Sequence, residues 1–278
     1  MTETLSAFRA LHSQPAAFVI PNPWDTGSAR ILAALGFPAL ATTSAGMAFS
    51  MGLREGMASR DAVLAHCREI VTATNLPVSA DLEHGFGHSP ESAAKTIVAA
   101  AETGLAGASL EDHTGDPDAP IYDFSLAVER ITAAVEACRA LQDDFVFTAR
   151  CENLLWGRDD LDDTIKRLQA FEAAGADVLY APGLTDLASI RLVCDSLSKP
   201  VNVVMGMPGR TFSVADLSAA GVKRISVGSA LARLAYGTLV RAARDMAQNG
   251  TFDFADDAMG FKELEQHFPE TATDADLP

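Results

Sequence analysis

The fold is decided by one stretch of the chain, which reads Leu76-Pro-Val-Ser-Ala-Asp-Leu-Glu-His-Gly-Phe-Gly-His88. An apolar, strand-like run ends there in two carboxylates, Asp81 and Glu83, and two glycines follow closely. Side chains two residues apart on a strand point to one side, so the two carboxylates converge. Unpaired charge at the end of a buried strand is costly, whereas a divalent cation that takes oxygen ligands would account for the pair. A salt bridge or a helix cap at the strand end is the simpler alternative.

On either side of this stretch, seven further runs have a strand-like character, and helical segments separate them. The eight predicted strands cover 17–24, 39–46, 77–83, 107–112, 143–150, 178–182, 199–205 and 222–228. Regular alternation of strands and helices indicates parallel pairing. Eight repeats in a chain of 278 residues favour a closed (β/α)8 TIM barrel, for which about 250 residues is typical.

Two other architectures compete with the barrel. An open doubly wound sheet would carry Gly-x-Gly-x-x-Gly after its first strand, but this chain has Pro21-Asn-Pro-Trp-Asp25 there. Two smaller domains would also suit this length, but no linker-like break interrupts the alternation. We therefore predict a catalytic barrel over residues 1–250 and a C-terminal helical extension with an acidic tail over 251–278. The aromatic residues of the extension are expected to pack on a neighbouring surface, and residues 270–278 to be mobile.

Composition excludes several classes of protein. A net charge of −16 argues against a nucleic-acid-binding surface, because phosphate backbones are bound by Lys and Arg. The four cysteines are far apart and form no Cys-x-x-Cys pair, so they are neither a zinc framework nor a disulfide scaffold. The sequence shows no signal peptide and no uncharged apolar run of about 18 residues. We expect a cytoplasmic protein that binds neither nucleic acid nor a membrane.

Polar residues gather where the predicted strands end, and in barrels these carboxyl ends form the active site. They are Asn22, Trp24, Asp25, Thr43, Ser44, Ala45, Gly46, Asp81, Glu83, His84, Glu111, Asp112, His113, Arg150, Glu152 and Asn202. Only one of the adjacent Glu111 and Asp112 can face the barrel mouth, and the other is expected to cap a turn or pair with a base. Arg150 either neutralises Glu152 or shares the site with it. Cys151, between them, is expected to face outward into packing.

Five segments, in a constant order across roughly residues 15–245, resemble the isocitrate lyase/phosphoenolpyruvate mutase superfamily. They are Thr42-Thr-Ser-Ala-Gly46, Gly52-Leu-Arg-Glu-Gly56, Asp81-Leu-Glu-His-Gly-Phe-Gly87, Ser109-Leu-Glu-Asp112 and Thr148-Ala-Arg150. The resemblance implies a (β/α)8 barrel whose last helix is exchanged between paired subunits of a homotetramer. It also implies Mg²⁺, with Mn²⁺ as an alternative, near Asp81, Glu83 and Glu111. A carboxylate-binding turn at Ser44-Ala-Gly46 and an Arg150 that clamps the substrate complete the implied site.

Together these observations assign three groups of residues. The metal ligands are Asp81, Glu83 and Glu111; the substrate-binding residues are Trp24, Thr43, Ser44, Ala45, Gly46, Asp81, Arg150 and Asn202; the catalytic residues are Arg150, Glu55 and His113. Glu55 stands where the family usually has Asp. His113 is the nearby histidine, and histidine side chains in general exchange protons close to neutrality, which makes it the candidate for a late proton donor.

The departures from the family pattern bear on the reaction. Lyases of the family carry a Lys-(Lys/Arg)-Cys-Gly-His loop after the fourth strand, whose cysteine is the proton donor, but this chain has Thr114-Gly-Asp-Pro-Asp-Ala-Pro120. The asparagine-bearing gating loop of the phosphonate mutases is missing too, and Glu83 replaces the second Asp of the metal motif. Family members that lack both loops include enzymes similar to oxaloacetate decarboxylase. This chain also resembles carboxyphosphonoenolpyruvate phosphonomutase.

The sequence therefore predicts a Mg²⁺-dependent lyase that cleaves a C–C bond of a small 2-oxo or 2-hydroxy carboxylate through a stabilised enolate. Isocitrate and 2-methylisocitrate are not expected to be cleaved. Phosphonomutase or phosphonopyruvate hydrolase chemistry on a P–C bond is the alternative within the fold. A non-catalytic protein that binds a metal and a 2-oxo acid is the alternative from another class.

Overall fold

The computed structural model describes residues 2–141, 144–209 and 211–268. Within these ranges eight parallel strands surround a central axis in the hydrogen-bonded order β1-β8-β7-β6-β5-β4-β3-β2. Their bounds are β1 Phe18–Ile20, β2 Leu40–Ala41, β3 Val78–Asp81, β4 Gly107–Glu111, β5 Val146–Arg150, β6 Val178–Tyr180, β7 Val201–Val204 and β8 Arg224–Ser226. From β2 to β8 each strand pairs with its neighbour in the chain, and β1 pairs with β8. The predicted eight-stranded (β/α)8 barrel is confirmed.

The barrel is joined between β1 and β2 by loop and side-chain hydrogen bonds. Pro21 follows β1 and has no N–H group to extend a strand ladder. Its carbonyl oxygen accepts a bond of 3.0 Å from the N–H of Ala41. The Asn22 side chain donates to the carbonyl of Thr42 at 2.9 Å and accepts from the N–H of Val227 at 2.9 Å. A buried asparagine thus ties β1, β2 and β8 together.

Helices follow the strands and cover the outside of the barrel. Their bounds are α1 Thr2–Leu11, α2 Thr26–Ala34, α3 Ser44–Ser50, α4 Arg60–Ala73, α5 Pro90–Ala101, α6 Phe124–Ala140, α7 Leu161–Ala174, α8 Leu187–Asp195, α9 Val214–Ala219, α10 Ala230–Asn249 and α11 Phe261–Glu265. Ser59 caps α4 and Ser89 caps α5, each by accepting a backbone N–H. Cys151 is fully buried in the apolar layer, with Leu168 and Phe171 of α7, as expected of an outward-facing residue.

The second strand is shorter than predicted. The sequence favoured a strand over 39–46, but β2 ends at Ala41 and α3 begins at Ser44. Thr43 causes the change because its hydroxyl accepts the N–H of Gly46 at 3.2 Å and so caps the helix. A Cβ at Gly46 would lie 2.5 Å from Thr43 and 3.0 Å from Trp24, so only glycine fits this close turn.

Helix α1 closes the N-terminal end of the barrel. Phe8 of α1 packs with Phe18, Ile20, Val146 and Val178 in a separate apolar cluster. Arg9 fixes the helix from the side through bonds of 2.6 Å to Asp144 and 2.8 Å to Asp177. Apolar packing therefore covers this end of the barrel, whereas the polar strand ends lie at the opposite, C-terminal end.

The C-terminal part of the chain stands apart from the barrel core. Of the twenty residues of α10, only Ala232 is buried. Leu234 and Leu239 of this helix are 63% and 60% exposed, and Phe261 of α11 is 87% exposed. The division into domains at residue 250 stays a prediction, and the predicted mobile segment 270–278 lies outside the described residues. In the described ranges we find no helix with the length and apolarity needed to cross a membrane.

Candidate active site

Asp81 is the central carboxylate of the barrel mouth. It ends β3, and its backbone N–H is held by the hydroxyl of Thr42 at 2.9 Å. Its side chain accepts a bond of 2.9 Å from the Ser44 hydroxyl and one of 3.3 Å from the N–H of Glu83. The Nη1 atom of Arg150 lies 3.7 Å from the same carboxylate. Asp81 therefore links three elements of the mouth: α3, its own loop and β5.

Glu83 lies beside Asp81 in an unusual backbone conformation. Its φ angle is +49°, a left-handed value that non-glycine residues rarely adopt and that costs energy unless the surroundings enforce it. The surroundings here include Arg130 of α6, which donates to the carbonyls of His84, Gly87 and Ser89. This buried arginine therefore fixes the loop that orients Glu83.

Glu111 ends β4 and faces the same mouth. Its carboxylate lies 3.3 Å from Nη1 of Arg150 and 3.6 Å from Nδ1 of His113. Burial would raise the pKa of Glu111, but the charge of Arg150 and the hydrogen bond from His113 lower it overall. The His113 ring stacks on Trp156, with ring centroids 4.0 Å apart and an interplanar angle of 13°. The stack holds His113 at the edge of the site.

Asp112 points away from the mouth and supports it from behind. Its carboxylate accepts a bond of 3.0 Å from Arg167 and one of 2.7 Å from the N–H of Glu152. Arg167 is 2% exposed and also bonds Asp163 at 2.8 Å. The alternative left open by the sequence is thereby decided: Glu111 faces the mouth, and Asp112 pairs with a base.

Arg150 ends β5 and is surrounded by acidic groups. Its Nε contacts Glu152, while Nη1 faces Glu111 and Asp81. The guanidinium also lies over the Tyr180 ring, 5.1 Å from its centroid. These carboxylates raise the pKa of Arg150 well above its usual value although burial opposes them. Arg150 therefore neutralises Glu152 and also faces the other carboxylates of the site. Both roles that the sequence allowed for Arg150 are found together.

Negative charge exceeds positive charge at the mouth. Around Arg150 lie the carboxylates of Asp81, Glu83, Glu111, Glu152 and Glu55. Burial, reinforced by the neighbouring carboxylates, raises the pKa of Glu83 to about 8. Burial also raises the pKa of Glu55, and Asp81 adds to this effect. Because these pKa values are raised, additional positive charge at the site would stabilise the ionised carboxylates.

The predicted metal ligands lie at this one mouth. In the described ranges, however, no three or more His, Cys, Asp or Glu side chains are grouped as a ready metal centre. The assignment of Asp81, Glu83 and Glu111 to a metal therefore stays a prediction.

The other predicted site residues are distributed around the mouth. Ser44 bonds Asp81, and the Gly46 N–H bonds Thr43, so these two donors already have partners within the protein. Trp24 packs against Gly46. Asn202 is 1% exposed and lies deeper, inside the barrel.

The exposed loop 51–57 brings Glu55 to the site. A Cβ built at Gly56 in this loop would lie 4.0 Å from Oε2 of Glu83. Ala45 is buried in the first turn of α3. His88 lies aside, where its Nδ1 contacts the Tyr122 hydroxyl at 2.8 Å.

The segment after β4 is a short loop closed on itself. Its ends are joined by a bond of 2.8 Å from the N–H of Thr114 to the carbonyl of Pro120. The Thr114 hydroxyl donates to Ala119 at 2.7 Å, and Asp116 accepts the N–H of Asp118 at 2.9 Å. Both aspartates of the loop are therefore exposed turn residues.

Four residues that shape the site were not predicted. They are Arg130, Arg167, Tyr180 and Arg224. Tyr180 ends β6 but lies two residues inside the predicted strand 178–182, so an argument from predicted strand ends missed it. Arg224 is a charge inside an apolar strand, which is a signal visible in the sequence. Arg130 and Arg167 lie on amphipathic helices, where a buried arginine is not distinguishable from a solvated one.

Comparison with known proteins places the chain in a family. It matches the family model described as phosphoenolpyruvate phosphomutase over residues 8–247. It is 55% identical to a protein of known structure from Burkholderia cenocepacia J2315, provisionally described as a lyase/mutase, with a TM-score of 0.92 and 95% of each chain covered. It is 32% identical over 203 residues to 2-methylisocitrate lyase of Escherichia coli (strain K12), which covers 70% of this chain and 67% of that enzyme.

A more distant structure has the same fold. Oxaloacetate acetylhydrolase in complex with its product oxalate is 25% identical, with a TM-score of 0.84 and coverage of 95% of this chain and 93% of that one. The resemblance found in the sequence motifs is thus confirmed. The chain is an enzyme of the isocitrate lyase/phosphoenolpyruvate mutase superfamily.

Proposed function

We propose that this enzyme is a Mg²⁺-dependent lyase that cleaves a C–C bond of a small 2-oxo or 2-hydroxy carboxylate. The observation that carries the proposal is the barrel mouth itself, where one arginine stands among five carboxylates: Asp81, Glu83, Glu111, Glu152 and Glu55. A purely structural cluster would balance its charges, because uncompensated buried charge destabilises the fold. An added cation restores the balance and gives an anionic substrate a place to bind.

The donor set fits Mg²⁺ in its chemistry. Asp81, Glu83 and Glu111 offer carboxylate oxygens, which hard divalent cations prefer, and they lie at the ends of neighbouring strands. Burial and the neighbouring carboxylates raise the pKa of Glu83 to about 8, so a bound cation would favour its ionised form. Mg²⁺ bound there would supply positive charge to stabilise the negative charge that develops on the substrate oxygens.

The residues of the chain supply binding and orientation. Arg150 would hold a substrate carboxylate through N–H groups that Glu152, Glu111 and Asp81 do not take up. The Ala45 N–H, with the Ser44 hydroxyl once it is released from Asp81, would hold another oxygen. His113, stacked on Trp156 and next to Glu111, is placed at the edge of the site to deliver a proton late in the reaction. Glu55, brought in by loop 51–57, is the candidate to bind or move a proton near Ser44.

The loop after β4 limits the substrate. Residues 114–120 contain no cysteine, lysine or histidine, so no thiol is available there to protonate a departing carbanion. Decarboxylation makes a weaker demand: the bond to the carboxylate breaks, CO₂ leaves, and the enolate that remains takes a proton from water or from His113. We therefore expect oxaloacetate or a relative to be decarboxylated to the 2-oxo acid.

The test is a substrate screen of the purified protein with Mg²⁺. Oxaloacetate is expected to yield pyruvate and CO₂ above the rate of a protein-free control with the same Mg²⁺. Isocitrate and 2-methylisocitrate are expected to give no glyoxylate or pyruvate, and rapid cleavage of either would refute the loop argument. Phosphonopyruvate belongs in the screen because the matching family model describes a phosphomutase. Binding of 2-oxo acids without any turnover would instead support a non-catalytic binder.

The exposed apolar face of α10 supports the proposal of an oligomer, a homotetramer with exchanged last helices. Leu234, Leu239 and Val240 are each at least half exposed on a helix that buries one residue. Sedimentation at micromolar concentration should therefore give a mass well above the 29.3 kDa of one chain. Leu239→Glu should shift the protein to smaller species, while Leu35→Glu, at the equally exposed residue that follows α2, should not. A wild-type mass near that of one chain would contradict the proposal.

A further inference from the structure

The barrel interior contains a polar cavity below the mouth. Its volume is about 50 Å³, enough for a few water-sized groups. Asp81 and Arg150 line it at the mouth, and Ser79, Ser109, Ser226 and Arg224 are among the residues that line it further in. TIM barrel interiors are usually filled by bulky branched side chains. Small serines on three strands leave this interior open instead.

Arg224 is the charged residue of that interior that the mechanism above does not use. It begins β8 and is 5% exposed. Its Nε donates to the Asn202 carbonyl oxygen at 2.9 Å, while its Nη1 is buried without a hydrogen-bond partner. Among the described residues, no carboxylate stabilises its charge; the one charge effect that raises its pKa comes from Tyr180. Burial lowers the pKa of Arg224 to about 10, so it remains a cation at neutral pH.

Its neighbours hold Arg224 in one orientation. The Asn202 amide that accepts from Arg224 donates to the Ser226 hydroxyl at 3.1 Å. Ser226 in turn forms a side-chain hydrogen bond with Tyr180, whose ring lies under Arg150. The two arginines of the cavity are thus connected through Tyr180, Ser226 and Asn202. A rigid, hydrogen-bonded guanidinium is well suited to recognise a planar anion.

A buried guanidinium with an unsatisfied N–H group and no acidic partner is an unfavourable structural element. Ordered water would satisfy the N–H group but would leave the charge uncompensated. A carboxylate satisfies both, because it accepts N–H groups and carries the opposite charge. The carboxylates at the mouth surround Arg150, whereas none of the described carboxylates stabilises the charge of Arg224.

We propose that Arg224 forms a second anion subsite inside the barrel, which binds a carboxylate of the substrate distinct from the one held at the mouth. This inference rests on the proposed function, since it assumes that a 2-oxo or 2-hydroxy acid binds between the acidic mouth and the interior. It specifies the ligand further: a dicarboxylate whose second carboxylate extends into the barrel. Asn202 is then a positioning residue that orients Arg224.

The test compares two acids that differ in the second carboxylate only. Oxaloacetate and 2-oxobutyrate share a four-carbon chain and the 2-oxo acid group, and only oxaloacetate carries the terminal carboxylate. Their affinities are measured with Mg²⁺ for the wild type and for Arg224→Gln. The affinity for oxaloacetate comes from the concentration dependence of its turnover and that for 2-oxobutyrate from competitive inhibition, or both come from calorimetry if oxaloacetate is not turned over. The wild type is expected to bind oxaloacetate roughly tenfold more tightly or better, as a charge-assisted hydrogen bond provides. In Arg224→Gln this preference should fall to about one, with the affinity for 2-oxobutyrate unchanged.

Two further variants make the result decisive. Arg224→Lys keeps the charge and should retain part of the preference, which also covers the case that Arg224→Gln does not fold. Arg191→Gln removes an exposed arginine of α8 and should leave the preference intact. Equal wild-type affinity for both acids, or a preference that survives in Arg224→Gln, would overturn this inference and leave the proposed function standing. Binding of neither acid by the wild type would overturn the proposed function, and this inference with it.

Discussion

The two walls of the barrel cavity carry opposite charge. On the β3–β5 wall, the carboxylates of Asp81, Glu83 and Glu111 outnumber their partner Arg150. On the β7–β8 wall, Arg224 is buried beside Asn202 and Ser226 without a carboxylate among the described residues to balance it. Burial raises the pKa of Glu83 to about 8 and lowers that of Arg224 to about 10. On each wall, burial therefore disfavours the charged form of the side chain.

This difference shows how the chain uses its charged residues. Opposite charges elsewhere in the molecule are paired directly, as Arg167 is with Asp112 and Arg9 with Asp177. Inside the barrel they are kept on separate walls, which costs stability in the free protein. The separation is understandable if bound ions balance the charge of each wall. A cation would balance the acidic wall, and an anionic group of the substrate would balance the basic wall.

The largest expected effect comes from removing the central carboxylate of the acidic wall. Asp81→Ala should lower turnover roughly a hundredfold or more and weaken Mg²⁺ binding, because it removes a proposed ligand that also holds Ser44 and the Glu83 N–H in place. Turnover and Mg²⁺ titration measure the effect, and circular dichroism checks that the fold survives. Asp61→Ala, at an exposed position of α4, is the matched control. Full activity of Asp81→Ala in metal-free buffer would show that the acidic wall does not bind a metal.

A smaller loss is expected from loosening the loop that carries Glu83. Arg130→Gln removes the guanidinium that bonds the carbonyls of His84, Gly87 and Ser89. Buried carbonyls left without donors should reduce the free energy of unfolding by about 1–3 kcal/mol, and Glu83 should lose its fixed left-handed conformation. Urea unfolding and turnover measure the two consequences. Arg68→Gln, exposed on α4, should change neither; if Arg130→Gln behaves like it, the loop is held by other contacts.

The pH dependence of stability tests the excess negative charge directly. The pKa of Glu83 rises from an ordinary 4.5 to about 8 on folding. Between about pH 4.5 and 8 the folded carboxyl therefore keeps its proton while the unfolded one has lost it. Folding then binds a proton, so the free energy of unfolding of the metal-free protein should fall as pH rises, by at most about 1.4 kcal/mol per pH unit for this group.

Mg²⁺ should reduce this slope, since a cation favours the ionised carboxyl. Urea midpoints at several pH values, with and without Mg²⁺, measure the effect. Glu83→Gln should reduce the slope of the metal-free profile by the share of this one group, because burial also raises the pKa of Glu152 to about 8. Glu69→Gln, at an exposed site on α4, should not change the slope. Stability that rises with pH across this window would mean that the acidic wall is already neutralised by the protein.

The smallest effect is expected where the two walls meet. Tyr180→Phe removes the hydroxyl that bonds Ser226 but keeps the ring under Arg150. The activity should fall only a few-fold, because one neutral hydrogen bond is worth about 1 kcal/mol. Tyr236→Phe on α10 is the control, and steady-state kinetics is the measurement. A loss as large as that of Asp81→Ala would show that the Tyr180 hydroxyl takes part in the chemistry itself.

Much of this architecture was predictable because it depends on local patterns. Apolar runs closed by polar residues gave eight strands, and their alternation with helices required parallel pairing. Since parallel strands end at one face, the polar residues at their ends had to meet there, as Asp81, Glu111 and Arg150 do. The end of β2 was misjudged because Thr-Thr-Ser-Ala suits a strand as well as a helix start, and only the Thr43 cap decides between them.

The sequence by itself thus determined the barrel, the carboxyl-end site and the kind of side chains that fill it, since these follow from periodicity of two and strand order. Tertiary structure alone decided which of Glu111 and Asp112 faces the mouth, because Arg167, 55 positions beyond Asp112, draws one carboxylate away. It also decided the left-handed Glu83, held by a loop that Arg130 bonds from α6. Tertiary structure also decided that Arg224 has no carboxylate partner among the described residues. Whether a charged side chain has a partner depends on distances across the barrel, which no local pattern encodes.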